Sequence, residues 1–315
     1  MENLLFRIVQ SETGKEMTGP LRSFLFVPAT SPRKVEKAFS TNADAVILDL
    51  EDAVAVSEKV KARGLVVDVL SNERRDGIYV RVNAVNTPWI VGDIMAVVGN
   101  RPAGIMLPKA ECAEEVRRVD WLIGQLQKEY GLSPGQIDII PLVETARGVA
   151  QAGEVASSCP RIRRLAFGAV DFALDMEIRL SGKGNELFYA RSQIAVASRA
   201  AGIEGPIDTV YVNLKDDEGL KEDCRVAREL GFSGKLVIHP AQIASVNEIF
   251  SPVQSEIEYA AKVVQAFDEA ESTGIAAVQL DGKFIDYPVA AWARRTLGIA
   301  ESLGLLKEAA LSQTE

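Results

Sequence analysis

The stretch DAVILDLEDAVAVSEKVKARGLVVDVL, residues 44–70, decides the fold. Ala45–Leu48 is continuously apolar rather than alternating, as in a strand buried on both faces of a parallel sheet. Three carboxylates follow at once: Asp49, Glu51 and Asp52. From Ser57 to Leu70 the apolar residues recur at helical spacing. Strand, acidic loop and helix make one β/α unit. The acid is the anomaly, because like charges crowded at a strand end disfavour one another's ionisation.

Outward from this unit the same pattern repeats. Further β-branched runs read FLFVP (24–28), IYVRVN (78–83), GIMLPK (104–109), IDIIPLVE (137–144), LAFGAVD (165–171), TVYVN (209–213) and KLVIHP (235–240). With AVILDL (45–50) they predict eight strands. Between them lie helical stretches. SPRKVEKAF offers Ser31 as an N-cap and Pro32 at the first helical position. ECAEEVRRVDWLIGQLQKEYG and YARSQIAVASRAAG each stop at a glycine. Eight strand–helix units predict an α/β chain folded as a (β/α)8 TIM barrel. A doubly wound sheet usually has fewer strands and a glycine-rich first turn, and the first turn here, PATSPR, has no glycine. The expected organisation is an N-terminal extension over 1–20, the barrel over 21–250 and a C-terminal extension over 251–315.

Composition narrows the function. The chain has 315 residues, 47% of them hydrophobic, enough for a large core. Its 35 basic and 44 acidic residues give a net charge of −9, which argues against a nucleic-acid surface. No uncharged apolar run has the length of a membrane span. The opening MENLLFRIVQSETGKEMTGP does not read as a secretory signal. Cys112, Cys159 and Cys224 are odd in number and lack metal-ligand spacing, so they read as reduced thiols of a cytoplasmic protein.

Active sites of such barrels lie at the C-terminal ends of the strands. The predicted ends carry Asp49 with Glu51 and Asp52, Arg81 and Asn83, Lys109, Glu144, Asp171, Asn213 and His239. Any one of these is explained by a helix cap or a loop charge. A polar residue at almost every strand end describes a ring around one mouth. Glu144 and Asp171 end neighbouring predicted strands, roughly 4.8 Å apart, and two carboxylates that close repel unless a cation lies between them. Oxygen donors completed by water suit Mg²⁺. Zinc is disfavoured, since His239 is the only histidine. The acid knot of Asp49, Glu51 and Asp52 can hold metal-bound waters. The planar fork of Arg81 suits a carboxylate or a developing enolate oxygen.

The segments RSFLFVPATSPRKVEKAF, ADAVILDLEDAV, YVRVNAVNTPW, GIMLPKAE, PLVETARGV, LAFGAVDF, LFYARSQI and GKLVIHPAQI, followed by FIDYPV, resemble the citrate lyase β-subunit-like group of the HpcH/HpaI aldolase family. They occur in family order from about residue 21 to residue 300. The resemblance implies a Mg²⁺-dependent acyl-CoA lyase that cleaves or forms the C–C bond of a malyl-, citramalyl- or citryl-thioester. It places Glu144 and Asp171 as metal ligands, Arg81 on the substrate oxygens, and His239 near the CoA arm. Two positions depart from the family pattern: Val170, where an acid is frequent, and Ala29, where a glycine is common. Arg33 and Lys37 are candidate CoA contacts; a solvent-exposed helix explains them equally well.

Beyond the barrel, SPVQSEIEYAAKVVQAFDEAEST predicts a helix capped by Ser251 and Pro252, with Val253, Ile257, Ala260, Val264 and Phe267 on one face. IAAVQLDGKFIDYPV predicts a hairpin turning at Asp281-Gly282, and a last helix follows Pro288. The resemblance implies that this segment reaches a neighbouring subunit of a homotrimer or dimer of trimers, and that Asp286 supplies an acid/base group there. A hairpin-end carboxylate with no catalytic part is the plain alternative. The expected partner is a small acyl-CoA or keto-acid substrate. Two other functions stay open: a CoA-independent aldolase of hydroxy-keto acids, and a non-catalytic subunit docking an acyl-carrier partner.

Overall fold

In a computed structural model, residues 20–73 and 75–306 are described. Eight parallel strands close into a barrel: β1 Ser23–Pro28, β2 Ala45–Asp49, β3 Ile78–Arg81, β4 Gly104–Leu107, β5 Asp138–Val143, β6 Ala166–Phe167, β7 Ile207–Asp208 and β8 Gly234–Val237. Each pairs with the next, and β8 returns to β1 with Ser23 opposite Lys235. The alternation of side chains along each strand divides the core in two. Phe24, Ile47, Tyr79, Met106, Leu142 and Leu236 fill the barrel interior. Val46, Leu48, Val80, Ile105 and Val237 face the surrounding helices. A strand buried on both sides must be apolar at every position, which is why the runs do not alternate.

Two predicted strands end elsewhere. β7 comprises Ile207–Asp208, upstream of TVYVN, so Asn213 does not end it. β6 stops at Phe167, and Asp171 belongs to the first turn of the following helix, Ala169–Asp175. Thr209, just past β7, accepts a hydrogen bond from the Ala169 amide at that helix start (2.9 Å). Ser31 stands at the N-cap of the helix Pro32–Phe39, but its side chain makes no capping hydrogen bond.

Behind β7 and β8, Arg191, Asp208, Lys235 and Asp223 form a buried group of two cations and two carboxylates. Each charge has an opposite partner, the condition for tolerating charge away from water. Cys224 beside them has its thiol pushed up to about 12 by burial. All three cysteines are free. No described helix is long and apolar enough to cross a membrane.

Residues 251–306 belong to a second compact unit. Its helices Gln254–Ser272 and Tyr287–Ser302 share a core of Ile257, Ala260, Phe267, Ala290, Ala293 and Leu297. The first helix starts later than expected: Val253 is its N-cap, and its amide donates to Glu256. Val263 takes a buried place on the face, and Val253 is exposed. Strands β9 Val278–Leu280 and β10 Lys283–Ile285 form the hairpin. Asp281 (φ 48°) and Gly282 (φ 76°) turn it with two positive φ values, the requirement of a type I′ turn.

Candidate active site

The C-terminal mouth of the barrel is built on strand register. Asp49 and Arg81 are opposite one another on β2 and β3, in the alternation that also points Ile47 and Tyr79 inward. They form a two-pronged pair, Nε to Oδ1 at 2.7 Å and Nη2 to Oδ2 at 2.6 Å. The Asp49 oxygens also accept from the amides of Glu51 (2.9 Å) and Ala53 (3.1 Å). Every acceptor position of Asp49 is therefore filled. This corrects the expectation that Asp49 holds metal-bound water: its carboxylate braces Arg81 and the loop.

Arg81 lies 4.8 Å from the ring centre of Phe26. Burial works against its charge, but Asp49, Glu51 and Asp52 outweigh that and hold its pKa above the ordinary arginine value. Its Nη1 is 3.1 Å from Glu51 Oε2 without hydrogen-bond alignment, and 3.5 Å from Asp52. Nε and Nη2 are thus committed to Asp49, and the Nη1 edge, held only by a long hydrogen bond to Asp52 and by Glu51, is the part of the fork most readily given to a ligand.

Glu51 is buried; its Oε1 accepts from Lys109 Nζ at 2.8 Å, while Oε2 has no hydrogen-bond partner. A buried acceptor left without a partner is costly. Burial raises the Glu51 carboxyl, with Arg81 and Lys109 opposing. Lys109 itself has φ 50°, a strained conformation for a non-glycine residue. That turn aims its amide at Glu144 Oε1 (2.8 Å). Asp52 is more than half exposed and free to hold water.

Glu144 follows β5 directly. The register Val143↔Phe167 brings Gly168 beside it, and a Cβ at 168 would lie 2.6 Å from Glu144 Oε2. Only glycine leaves the carboxylate its place. The helix that starts after Gly168 carries Asp171, whose side chain makes no hydrogen bond or ion pair among the described residues. Burial raises the Glu144 carboxyl to about 8, helped by Glu51 and Asp171. Glu144 and Asp171 have no ion pair of their own among the described residues, and with Glu51 beside them the mouth is rich in negative charge.

Hard oxygen donors of this kind fit Mg²⁺. Among the described residues no group of three or more His, Cys, Asp or Glu forms a ready cage. Glu144 and Asp171 are the residues that would hold such an ion, one that keeps several of its waters.

Linkage gives one prediction. The folded-state pKa of Glu144 is about 8, above the ordinary 4.5. Its contribution to stability is fully present below about 4.5 and is lost as pH rises through about 8. Without divalent cation, Glu144→Gln should therefore be more stable than the parent by a margin that grows with pH, reaching on the order of 2–4 kcal/mol. Denaturant melts from pH 5 to 9 measure this; a margin independent of pH would remove the strain at Glu144.

His239, Asn83, Arg33 and Lys37 are not drawn into this cluster. His239 is exposed, and its Nδ1 accepts from the Ala241 amide at 3.2 Å, capping a 3-10 turn. Asn83 gives its Nδ2 to Leu50 O and Asp93. Arg33 and Lys37 are exposed on the first helix. Asp286 caps the helix Tyr287–Ser302 through Val289 N at 3.3 Å. Strand-end spacing does not single out Lys59, yet it is buried and donates to the carbonyls of Leu50 and Glu51. Its place on the apolar stripe with Ala62, Val66 and Leu70 was the available signal.

A family model described as HpcH/HpaI aldolase/citrate lyase matches residues 22–240. The chain is similar to the citrate lyase subunit beta of Leuconostoc mesenteroides subsp. cremoris, at 37% identity over 89% of this chain and 93% of that protein. It is also similar to a (3S)-malyl-CoA thioesterase of Cereibacter sphaeroides (strain ATCC 17025), at 37% identity over 90% of this chain and 96% of that protein. Among solved structures, CitE of Mycobacterium tuberculosis in complex with magnesium, acetoacetate and coenzyme A matches with a TM-score of 0.73 and 32% identity. That match covers 90% of this chain and 98% of the other.

Proposed function

The chain belongs to the HpcH/HpaI aldolase/citrate lyase family, and from that premise we propose that it is a Mg²⁺-dependent carbon–carbon lyase acting on a β-hydroxyacyl-CoA thioester. The substrate class is malyl-, citramalyl- or citryl-CoA, and the products are an α-keto acid and a short acyl thioester. The observation that carries this reading is the carboxylate-rich mouth of Glu144, Asp171 and Glu51, whose Oε2 lacks a hydrogen bond, flanked by the weakly engaged Nη1 edge of Arg81.

When bound, Mg²⁺ supplies Lewis-acid polarisation of a substrate oxygen. Arg81 offers Nη1 hydrogens to the oxygen that gains negative charge as the bond breaks. Asp49 keeps that guanidinium in place, so little rearrangement accompanies the reaction. Lys109 holds Glu51 and, through its amide, Glu144. Asp286 of a neighbouring copy moves the proton, in a homotrimer or dimer of trimers. The family resemblance supports that role, and Asp286's partial exposure leaves its second oxygen available.

The test is a panel of these CoA thioesters with Mg²⁺, followed for keto acid and for free thiol. Keto acid released without free thiol is the expected result. Free thiol without keto acid would mean thioester hydrolysis, a second reading favoured by the similarity to the Cereibacter thioesterase. Neither product from any thioester would overturn the lyase reading.

A further inference from the structure

One buried cation has no part in the chemistry described above. Lys59 heads the helix Lys59–Asn72 and is 6% exposed. Its ammonium donates to two consecutive backbone carbonyls, Leu50 O and Glu51 O, both at 2.7 Å. Burying an ammonium costs several kcal/mol unless strong partners compensate, and burial does pull its pKa below the ordinary lysine value. A helix packing its apolar stripe would be served better by leucine. The charge therefore has some use at this position.

That use lies in the loop it grips. Leu50 O also accepts from Asn83 Nδ2 at 3.1 Å. Asn83 is fixed in turn by Asp93, which takes its Nδ2 (2.6 Å) and its amide (3.1 Å), and Arg63 Nε closes the chain on Asp93 at 2.9 Å. The amides of the same segment are spoken for from the other side. Leu50 N donates to Arg81 O, Glu51 N and Ala53 N to Asp49, and Val54 N to Glu51 O. With carbonyls and amides both held, the segment presents the Glu51 and Asp52 side chains at the mouth.

We propose that Lys59 is a positioning residue: by clasping the Leu50 and Glu51 carbonyls it holds the Glu51 carboxylate between Lys109 and Arg81, with Oε2, which has no hydrogen bond, turned to serve the cation. The loop geometry stands by itself; the part concerning the cation rests on the Mg²⁺ reading above.

Two arms test it. In the first, hydrogen exchange of the 50–54 segment is followed by mass spectrometry without metal or substrate. Lys59→Met should speed exchange there by about tenfold or more while β4 and β5 keep their protection, and Lys59→Gln, which keeps an uncharged, shorter N–H donor group, should fall between. In the second, Mg²⁺ binding is titrated calorimetrically in a double-mutant cycle. Lys59→Met should weaken binding about tenfold or more in the parent chain, and by less than about twofold in a Glu51→Gln background, because the clasp acts through Glu51. Unchanged exchange in the first arm overturns the clasp. Equal weakening in both backgrounds overturns the route through Glu51. A parent chain that does not bind Mg²⁺ counts against the proposed function, and the exchange arm still decides Lys59. If Lys59→Met fails to fold, Lys59→Gln carries both arms with a smaller expected effect: exchange and Mg²⁺ affinity equal to the parent's overturn the clasp and its route.

Discussion

Asp171→Ala should abolish Mg²⁺ binding and turnover while the barrel stays folded. The side chain supports nothing else: it is partly exposed in the first turn of a helix and has no hydrogen-bond or ion-pair partner among the described residues. The helix loses only an acidic side chain at its N-terminus, worth about 0.3–1 kcal/mol. Its removal also relieves Glu144, whose raised pKa owes part of its shift to Asp171. Calorimetric titration with Mg²⁺ and a thermal melt separate the two effects. An Mg²⁺ affinity equal to the parent's would mean that the ion lies elsewhere. The same variant reports on Asp286. Mixing subunit-exchanged Asp171→Ala and Asp286→Ala chains should restore part of the activity, since some sites would combine a sound metal pair with a sound Asp286 from another copy. Mixtures as inactive as either variant alone would confine Asp286 to its own chain or remove it from the chemistry.

Arg81→Lys should lower turnover on the order of 100-fold or more, with a much smaller change in the Michaelis constant, because an oriented donor is lost where charge develops. The structure adds a second consequence. Asp49 is 2% exposed and bound by both prongs of the fork. An ammonium can satisfy one of its oxygens, so the variant should also lose about 1–3 kcal/mol of stability. Steady-state kinetics and denaturant melts on one preparation measure both. Unchanged turnover with a raised Michaelis constant would reduce Arg81 to ground-state binding.

The barrel was legible because its signal is local and repeated. Each parallel strand buried on both faces is written as an apolar run, and seven of the eight predicted runs overlap a strand. TVYVN failed because β-branched content marks a preference for extended backbone, whereas pairing is decided by neighbours. The ladder across β6, β7 and β8 engages Ile207 and Asp208, and the richer run lies past its end. The site was legible as a set of positions and less so as a set of partners. Glu144, Asp171, Glu51 and Arg81 stand at the mouth. That Asp49 is saturated by Arg81, or that Gly168 exists to admit Glu144, depends on cross-strand register that spacing does not show. Lys59 looks in sequence like one more solvated helix lysine. Its burial depends on a loop folding back over the helix start.

The seam between β1 and β8 has a kinetic meaning. It joins the first strand of the barrel to the last, so Ser23 finds Lys235 only after nearly the whole barrel chain has been made. Closing so long a loop is entropically expensive, and contacts of such sequence separation slow folding. Until the seam forms, β1 and β8 are bare edges with unpaired amides and carbonyls, templates for another incomplete chain. Sealing the ring is thus a race against association between half-made barrels. Refolding yield should fall with protein concentration even where the finished molecule is stable.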